Sequence, residues 1–423
     1  MGIIVDLIYL LGLLVASPTL VPRLFLRWKS RYDWRARLGH VSVPAVGSKH
    51  RILIHAVSVG EVNAIEVLVQ QCLEQPDPCE LIVAVTTETG FDRASTLYGD
   101  RLSVIRYPLD FSRSVRRFLD VVRPDLAVMV ELELWPNFTR ACQKRGIPLA
   151  VINGRLSEGS FRGYSRAGFF VRSMFRRLDA AAVQTERYAK RFQSLGVPSS
   201  AVTVTGTMKW DAAGSGPDVE AAGALGKSLG IDPGMPLIVA GSTAPEEHAL
   251  LRDVLPEGVQ LLCAPRRPEW FEAAAADLEG CARRSLGQAG SRKHLFLLDT
   301  IGELDAAYAL ADVVVVGRSF GSLHGSDMMA PCALGKPVVV GPSTGDFTDT
   351  VEKLVAGGGL VVTNADGLGA VLRSLCDSPS ERSELSERAR LVVREQQGAT
   401  KRTRLILEGL LGEAGSERRA SDA

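Results

Sequence analysis

Short, uninterrupted apolar runs recur along this chain, and each ends in a cluster of polar residues. Residues 52–54, 81–85, 126–130, 148–152 and 180–183 form one series, and 236–240, 259–264, 294–298, 312–316 and 336–340 form a second. Between the runs, apolar residues recur at helical spacing. Runs this short and this continuous are strands buried on both faces. Their alternation with helices predicts parallel sheets covered on two sides. The polar clusters fall directly after the strands, where open α/β sheets place their ligands. An Ala-, Gly- and Asp-rich stretch, 211–227, separates the two series and reads as a linker. The expected architecture is therefore two Rossmann-like domains, 23–210 and 228–411, facing a cleft that would hold a ligand. A polar tail, 412–423, ends the chain.

The most informative run is 51–64, RILIHAVSVGEVNA. A β-prone segment passes through His55 into Ser58, Gly60 and Glu61. Ile65, Leu68, Val69 and Leu73 then keep one helical face apolar. Strand, tight turn and helix follow in order. Gly60 allows close backbone approach to a ligand, and the first N–H groups of the helix can bind an anion. On spacing alone Glu61 is either a carboxylate at the mouth of the sheet or an acidic first-turn residue favoured by the helix dipole.

Composition narrows the function class. Charged residues make up 23% and hydrophobic ones 46%, as in a globular protein, and the net charge of +1 argues against a general nucleic-acid binder. The seven cysteines are scattered without a C-x-x-C pair, and the six histidines form no H-E-x-x-H pattern. Reduced thiols and no metal or cofactor are expected. No G-x-G-x-x-G opens either domain, which argues against a plain dehydrogenase.

The N-terminus is read as a membrane anchor. Residues 2–22 approach the roughly 20 apolar residues a span needs, although Asp6 and Pro18 interrupt them. No basic segment precedes them, so a cleaved signal is not expected. Arg23, Arg27, Lys29, Arg31, Arg35 and Arg37 follow, interleaved with Phe25, Trp28, Tyr32 and Trp34. That pattern fits an anchor over 1–22 and a cytoplasmic domain facing anionic lipid. The other reading is a hydrophobic helix docked on the protein itself.

Eight stretches, in order, resemble the Kdo (3-deoxy-D-manno-octulosonic acid) transferases of lipopolysaccharide assembly. They are 54–61 (IHAVSVGE), 131–137 (ELELWPN), 153–157 (NGRLS), 206–211 (GTMKWD), 241–243 (GST), 264–266 (APR), 299–304 (DTIGEL) and 333–337 (ALGKP). These are membrane-associated glycosyltransferases of the two-Rossmann (GT-B) architecture. The resemblance implies an inverting, metal-free displacement in which a hydroxyl of a lipid A precursor attacks the anomeric carbon of Kdo and CMP leaves. It implies that Glu61 is the general base, and that Glu131 and Lys209 stabilise the transition state. For the donor, CMP-Kdo, it implies Pro265 and Arg266 at the phosphate and Ile301, Gly302 and Glu303 around the nucleotide. Ser58 and Gly60 are expected at the Kdo carboxylate, Ser242 and Thr243 at the phosphate, and Asp327, Met328, Met329 and Ala330 at the ribose. The implied partners are CMP-Kdo, a lipid A precursor and inner-membrane lipid, on the cytoplasmic face, and not nucleic acid.

One stretch departs from the family. Where a Gly-Gly-His-Asn-x-x-Glu-Pro-like sequence is usual, residues 324–331 read HGSDMMAP. Ala330 stands where a glutamate is expected to accept the ribose hydroxyls, a loss of about 1.5–3 kcal/mol, or on the order of tenfold to a hundredfold in donor affinity. Asp327, one helical turn earlier, is expected to reach the same face. Two other functions fit the fold: a transferase of another activated sugar, and a non-catalytic lipid-A-binding relative. Retention of Glu61, Glu131, Lys209 and Arg266 argues against the second.

Overall fold

The computed structural model describes residues 5–11, 33–76, 78–166, 168–213, 219–290 and 294–421, with the backbone alone at 169, 170 and 413–421. The chain forms two compact units. The first comprises Met1–Ala212 with Gly398–Ala423, and the second Ala213–Gln397.

The first unit is built on seven parallel strands, β1 (Arg51–Ala56), β2 (Glu80–Val85), β3 (Ser103–Arg106), β4 (Leu126–Val130), β5 (Leu149–Gly154), β6 (Ala180–Val183) and β7 (Val202–Val204), in the order 3-2-1-4-5-6-7. Its central strands are buried throughout, as their unbroken apolar runs require. One core lies on each face, around Phe118, Phe138 and Phe175 on one side and around Ile54, Leu68 and Val128 on the other. A fully buried arginine ties the sheet's lower edge together. Arg51 donates to both carboxylate oxygens of Glu80 (2.9 Å each), to the Val122 carbonyl (2.7 Å) and to the Pro44 carbonyl (2.9 Å).

The C-terminal helix, Ala399–Ser421, belongs to this unit and not to the second, where the boundary expected at 411 had placed it. Asp211 accepts the N–H groups of Gly398 and Thr400 (2.6 Å each), and Arg402 donates to the Thr205 carbonyl (3.0 and 2.7 Å). Leu407 and Leu411 complete the core around Leu68. Burying two leucines contributes about 3–6 kcal/mol.

The second unit repeats the plan with β8 (Leu237–Thr243), β9 (Gln260–Pro265), β10 (Ala282–Arg283), β11 (Leu295–Leu297), β12 (Val313–Val316), β13 (Val338–Val340) and β14 (Val361–Val362), all parallel in the order 10-11-9-8-12-13-14. The expected linker contains helix here: Val219–Leu229 packs on helix Leu304–Leu310. Ala222, Leu225, Gly226 and Leu229 make a buried stripe, and Gly226 leaves Leu310 room at 3.4 Å from where a Cβ would stand. Small residues that read as flexible are here a helix interface.

Of the expected anchor, residues 1–4 and 12–22 lie outside the described residues. Among the described residues no helix is long and apolar enough to cross a membrane. Residues 5–11 are helical and docked on the first unit. Asp6 accepts the Ser112 N–H (2.9 Å), the Ser112 hydroxyl and the Asn137 amide (2.9 Å), while the Tyr9 hydroxyl donates to Asp110 (3.0 Å). Leu7, Ile8, Leu10 and Leu11 face outward.

Candidate active site

At the carboxyl end of β1 the chain turns through Val57 and Ser58 into helix Val59–Ala64. Thr87, at the end of β2, fixes this turn by donating its N–H (3.1 Å) and hydroxyl (2.6 Å) to the Val57 carbonyl. Glu61 sits in the first helical turn and reaches back to accept the Val57 N–H (2.8 Å) and the Ser58 hydroxyl (3.1 Å). Glu61 is 8% exposed. Burial, the largest influence, pushes its carboxyl up to about 7; the Val57 N–H opposes this, and Glu131 and Glu133 add to it. A buried carboxyl that titrates near neutrality is matched to taking a proton at physiological pH. Gly60 faces open space, since a Cβ there would meet only the Ser58 hydroxyl at 3.9 Å.

The two flanking glutamates come from the turn after β4. Glu131 holds a left-handed conformation (φ 57°), uncommon for a residue with a side chain, and its N–H donates to the Ile152 carbonyl (2.9 Å). Glu133 accepts the Trp135 indole N–H (3.2 Å), and burial and then Glu131 raise its carboxyl. Neither glutamate begins the next helix, Pro136–Lys144, whose cap position is Trp135. Lys209 opens the short helix Lys209–Ala212, which packs on the helix carrying Glu61. Asn153, buried and also left-handed (φ 51°), ties β5 to this segment by accepting the Met208 N–H (3.1 Å).

Asn153 and Glu133 lay within motifs noted in the sequence but were not singled out as site residues; what marks them is a backbone conformation and a burial that no spacing reports. His55, in the first motif, is a core residue. It stacks on Tyr107 with ring centroids 3.5 Å apart, and burial lowers its imidazole to about 3, so it is neutral.

In the second unit the expected donor residues follow the carboxyl ends of the strands, but not all of them offer side chains. Ser242 is left-handed (φ 56°). Thr243 is fully buried, its hydroxyl taken by His248 (3.1 Å) and Cys263 (3.3 Å). Pro265 ends β9, and the Arg266 N–H donates to the Thr243 carbonyl (3.0 Å) while its side chain is exposed. Ile301 is 72% exposed beside Gly302 (φ 97°); Glu303 is paired with Arg284 (2.8 Å). Met328 and Met329 are buried in the core, leaving only backbone to a ligand. Asp327 is exposed and precedes helix Met329–Ala333, accepting the Met329 N–H (2.8 Å), so the helical relation expected between it and Ala330 does not hold.

Sequence reading missed Glu247, which organises this edge. One carboxylate oxygen accepts the N–H groups of Ala244 (2.9 Å) and Arg318 (2.8 Å), the other those of Ser319 (2.9 Å) and Phe320 (3.1 Å). It joins the loop after β8 to the loop after β12. A Cβ on Gly317 would fall 2.7 Å from this carboxylate, so only glycine fits there. Among the described residues no group of three or more His, Cys, Asp or Glu is placed to hold a metal ion.

Comparison with known proteins decides the family. A family profile described as 3-deoxy-D-manno-octulosonic-acid transferase (kdotransferase) matches residues 32–212. The 3-deoxy-D-manno-octulosonic acid transferase of Bordetella pertussis is 35% identical over 384 residues, 85% of this chain and 87% of that one. The chain belongs to the Kdo transferase family. It is accordingly an enzyme of the glycosyltransferase class. The Haemophilus influenzae 3-deoxy-D-manno-octulosonic acid transferase is 30% identical, covering 92% of each chain. Among solved structures, a UDP-N-acetylglucosamine 2-epimerase matches at TM-score 0.60 and 16% identity, over 88% of this Kdo transferase family member and 97% of the epimerase, which shows a shared fold.

Proposed function

We propose that the chain transfers Kdo from CMP-Kdo to a lipid A precursor by inverting displacement, with Glu61 as general base. The observation that carries this is the Glu61 carboxyl, buried at the end of β1 and raised to about 7. The acceptor hydroxyl gives its proton to Glu61 as its oxygen bonds to the anomeric carbon. The bond to the phosphate oxygen breaks, and CMP leaves with the electron pair. Ser58 and the Val57 N–H hold the base in place. The Lys209 ammonium offsets charge developing on the phosphate or on the Kdo carboxylate, and Glu131 borders the same site. No metal is invoked.

The second unit holds the donor. Arg266 suits a phosphate through its guanidinium fork, with Ser242 and the Ile301, Gly302 and Glu303 turn at the nucleotide and Ala330 near the ribose. The enzyme works at the cytoplasmic face of the inner membrane. The outward Leu7, Ile8, Leu10 and Leu11 of a helix docked beside Asn137 support a membrane-facing edge. Purified protein given CMP-Kdo and a tetra-acylated lipid A precursor should release CMP and yield a Kdo-bearing lipid. CMP release from a different acceptor class only, or from no acceptor, would overturn the reading. Deleting residues 1–22 should lower cosedimentation with anionic vesicles; undiminished binding would remove the anchor.

A further inference from the structure

Helix Gly168–Phe175 and the turn after it carry Arg172, Arg176 and Arg177 around one pocket of 460 Å³, which Gln143, Ser165 and Ser173 help to line. Among the described residues none of the three pairs with a carboxylate. Asp179, close by in sequence, turns its carboxylate to the Leu149 N–H (2.7 Å). Arg177 is fixed in place, donating to Gln143 (3.1 Å), Thr139 (3.1 Å) and Ser173 (3.5 Å). Arg176 lies against Gly196, where a Cβ would stand 3.2 Å from its Cγ. Arg172, in the last turn of the helix, and Arg176, just past its end, are both exposed. Burial and the neighbouring Arg140 both disfavour the charged form of Arg177. Three guanidinium groups are thus gathered at one concave site, and among the described residues none of them has a carboxylate partner.

The geometry points to a phosphoryl-binding site in this pocket, formed by Arg172, Arg176 and Arg177. Guanidinium forks match phosphate oxygens two at a time, and three of them suit a dianionic phosphoryl group better than a single carboxylate. The volume admits the group together with part of what carries it. Gln143 lies near the end of the helix that runs back from the carboxyl edge of β4, and Arg177 leads into the start of β6. The pocket therefore lies at the amino edge of the sheet, opposite Glu61, and binds its ligand away from the reacting atoms. The same chemistry is offered by a lipid headgroup and by a free phosphorylated compound. The inference does not depend on the proposed transfer reaction.

The test titrates the full chain with inorganic phosphate and with pyrophosphate, by calorimetry and thermal shift. It compares Arg172→Gln/Arg176→Gln with a charge-matched control, Arg101→Gln/Arg373→Gln, at exposed positions. The wild type and the control should bind saturably and melt higher with the ligand. The pocket variant should bind about tenfold more weakly or worse, yet without ligand melt no lower than the wild type. Vesicles of phosphatidylcholine with and without phosphatidic acid separate the sources. Pocket-dependent preference for phosphatidic acid marks a headgroup, and binding of the soluble anions alone marks a free compound. Equal weakening in both variants, undiminished binding by the pocket variant, or no binding of either soluble anion and no preference for phosphatidic acid would each overturn the site.

Discussion

Replacing Glu61 by glutamine tests the base and its burial together. Folding holds the Glu61 proton more tightly than the unfolded chain does, with a carboxyl at about 7 against an ordinary value of 4.5. The stability this confers is complete below pH 4.5 and is lost as pH rises through 7, because the folded state must then carry a buried charge. At 1.36 kcal/mol per pH unit the loss approaches about 3 kcal/mol by pH 8.5, of which about 1 has already gone by pH 5. Glutamine keeps the shape and one carbonyl oxygen for the Val57 N–H but never ionises. Glu61→Gln should therefore unfold at higher urea than the wild type at pH 8.5, and the gap should shrink by about 2 kcal/mol at pH 5. The same variant should lose Kdo transfer, while wild-type kcat/KM rises with pH through about 7 as the base ionises. A pH-independent gap would refute the burial argument, and normal turnover by the variant would remove Glu61 from the reaction.

Glu80→Gln should destabilise the first unit by about 3 kcal/mol, because it strips the charge partner from fully buried Arg51; denaturant unfolding reads this directly. Glu247→Gln leaves one oxygen for four N–H groups and should cost about 2 kcal/mol or more, with faster proteolysis around residues 317–320. Ala330→Glu should tighten CMP by about tenfold to a hundredfold in calorimetric titration; unchanged affinity would mean that the ribose is not held from this position.

The sheets were legible because their strands are buried on both faces, so burial alone spells them out as apolar runs. The turns after the strands were legible as polar clusters for the same reason. Which helix covers which sheet was not. Ala389, Val392 and Val393 form an inward apolar helical face, but such a stripe carries no address, and Leu407 and Leu411 serve the other unit. Residues 219–229 misled because alanine and glycine lower hydrophobicity in a linker and in a close helix contact alike. Glu61 stands just after a strand, as its motif suggests, but the burial that chiefly raises its carboxyl, and the added push of Glu131 and Glu133 about 70 residues away, come from the tertiary fold. Glu247 left no local signal, since the N–H groups it gathers at 318–320 belong to another loop.

The return of the last helix to the first unit sets the order in which the protein can be finished. Ile54, Leu68 and Val128 leave the ribosome well before Leu407 and Leu411, which close their core and follow the whole second unit. The second unit can therefore complete its sheet while the first still waits with an open apolar face. A premature stop or a protease cut near residue 398 would accordingly damage the domain that carries Glu61, far upstream of the break.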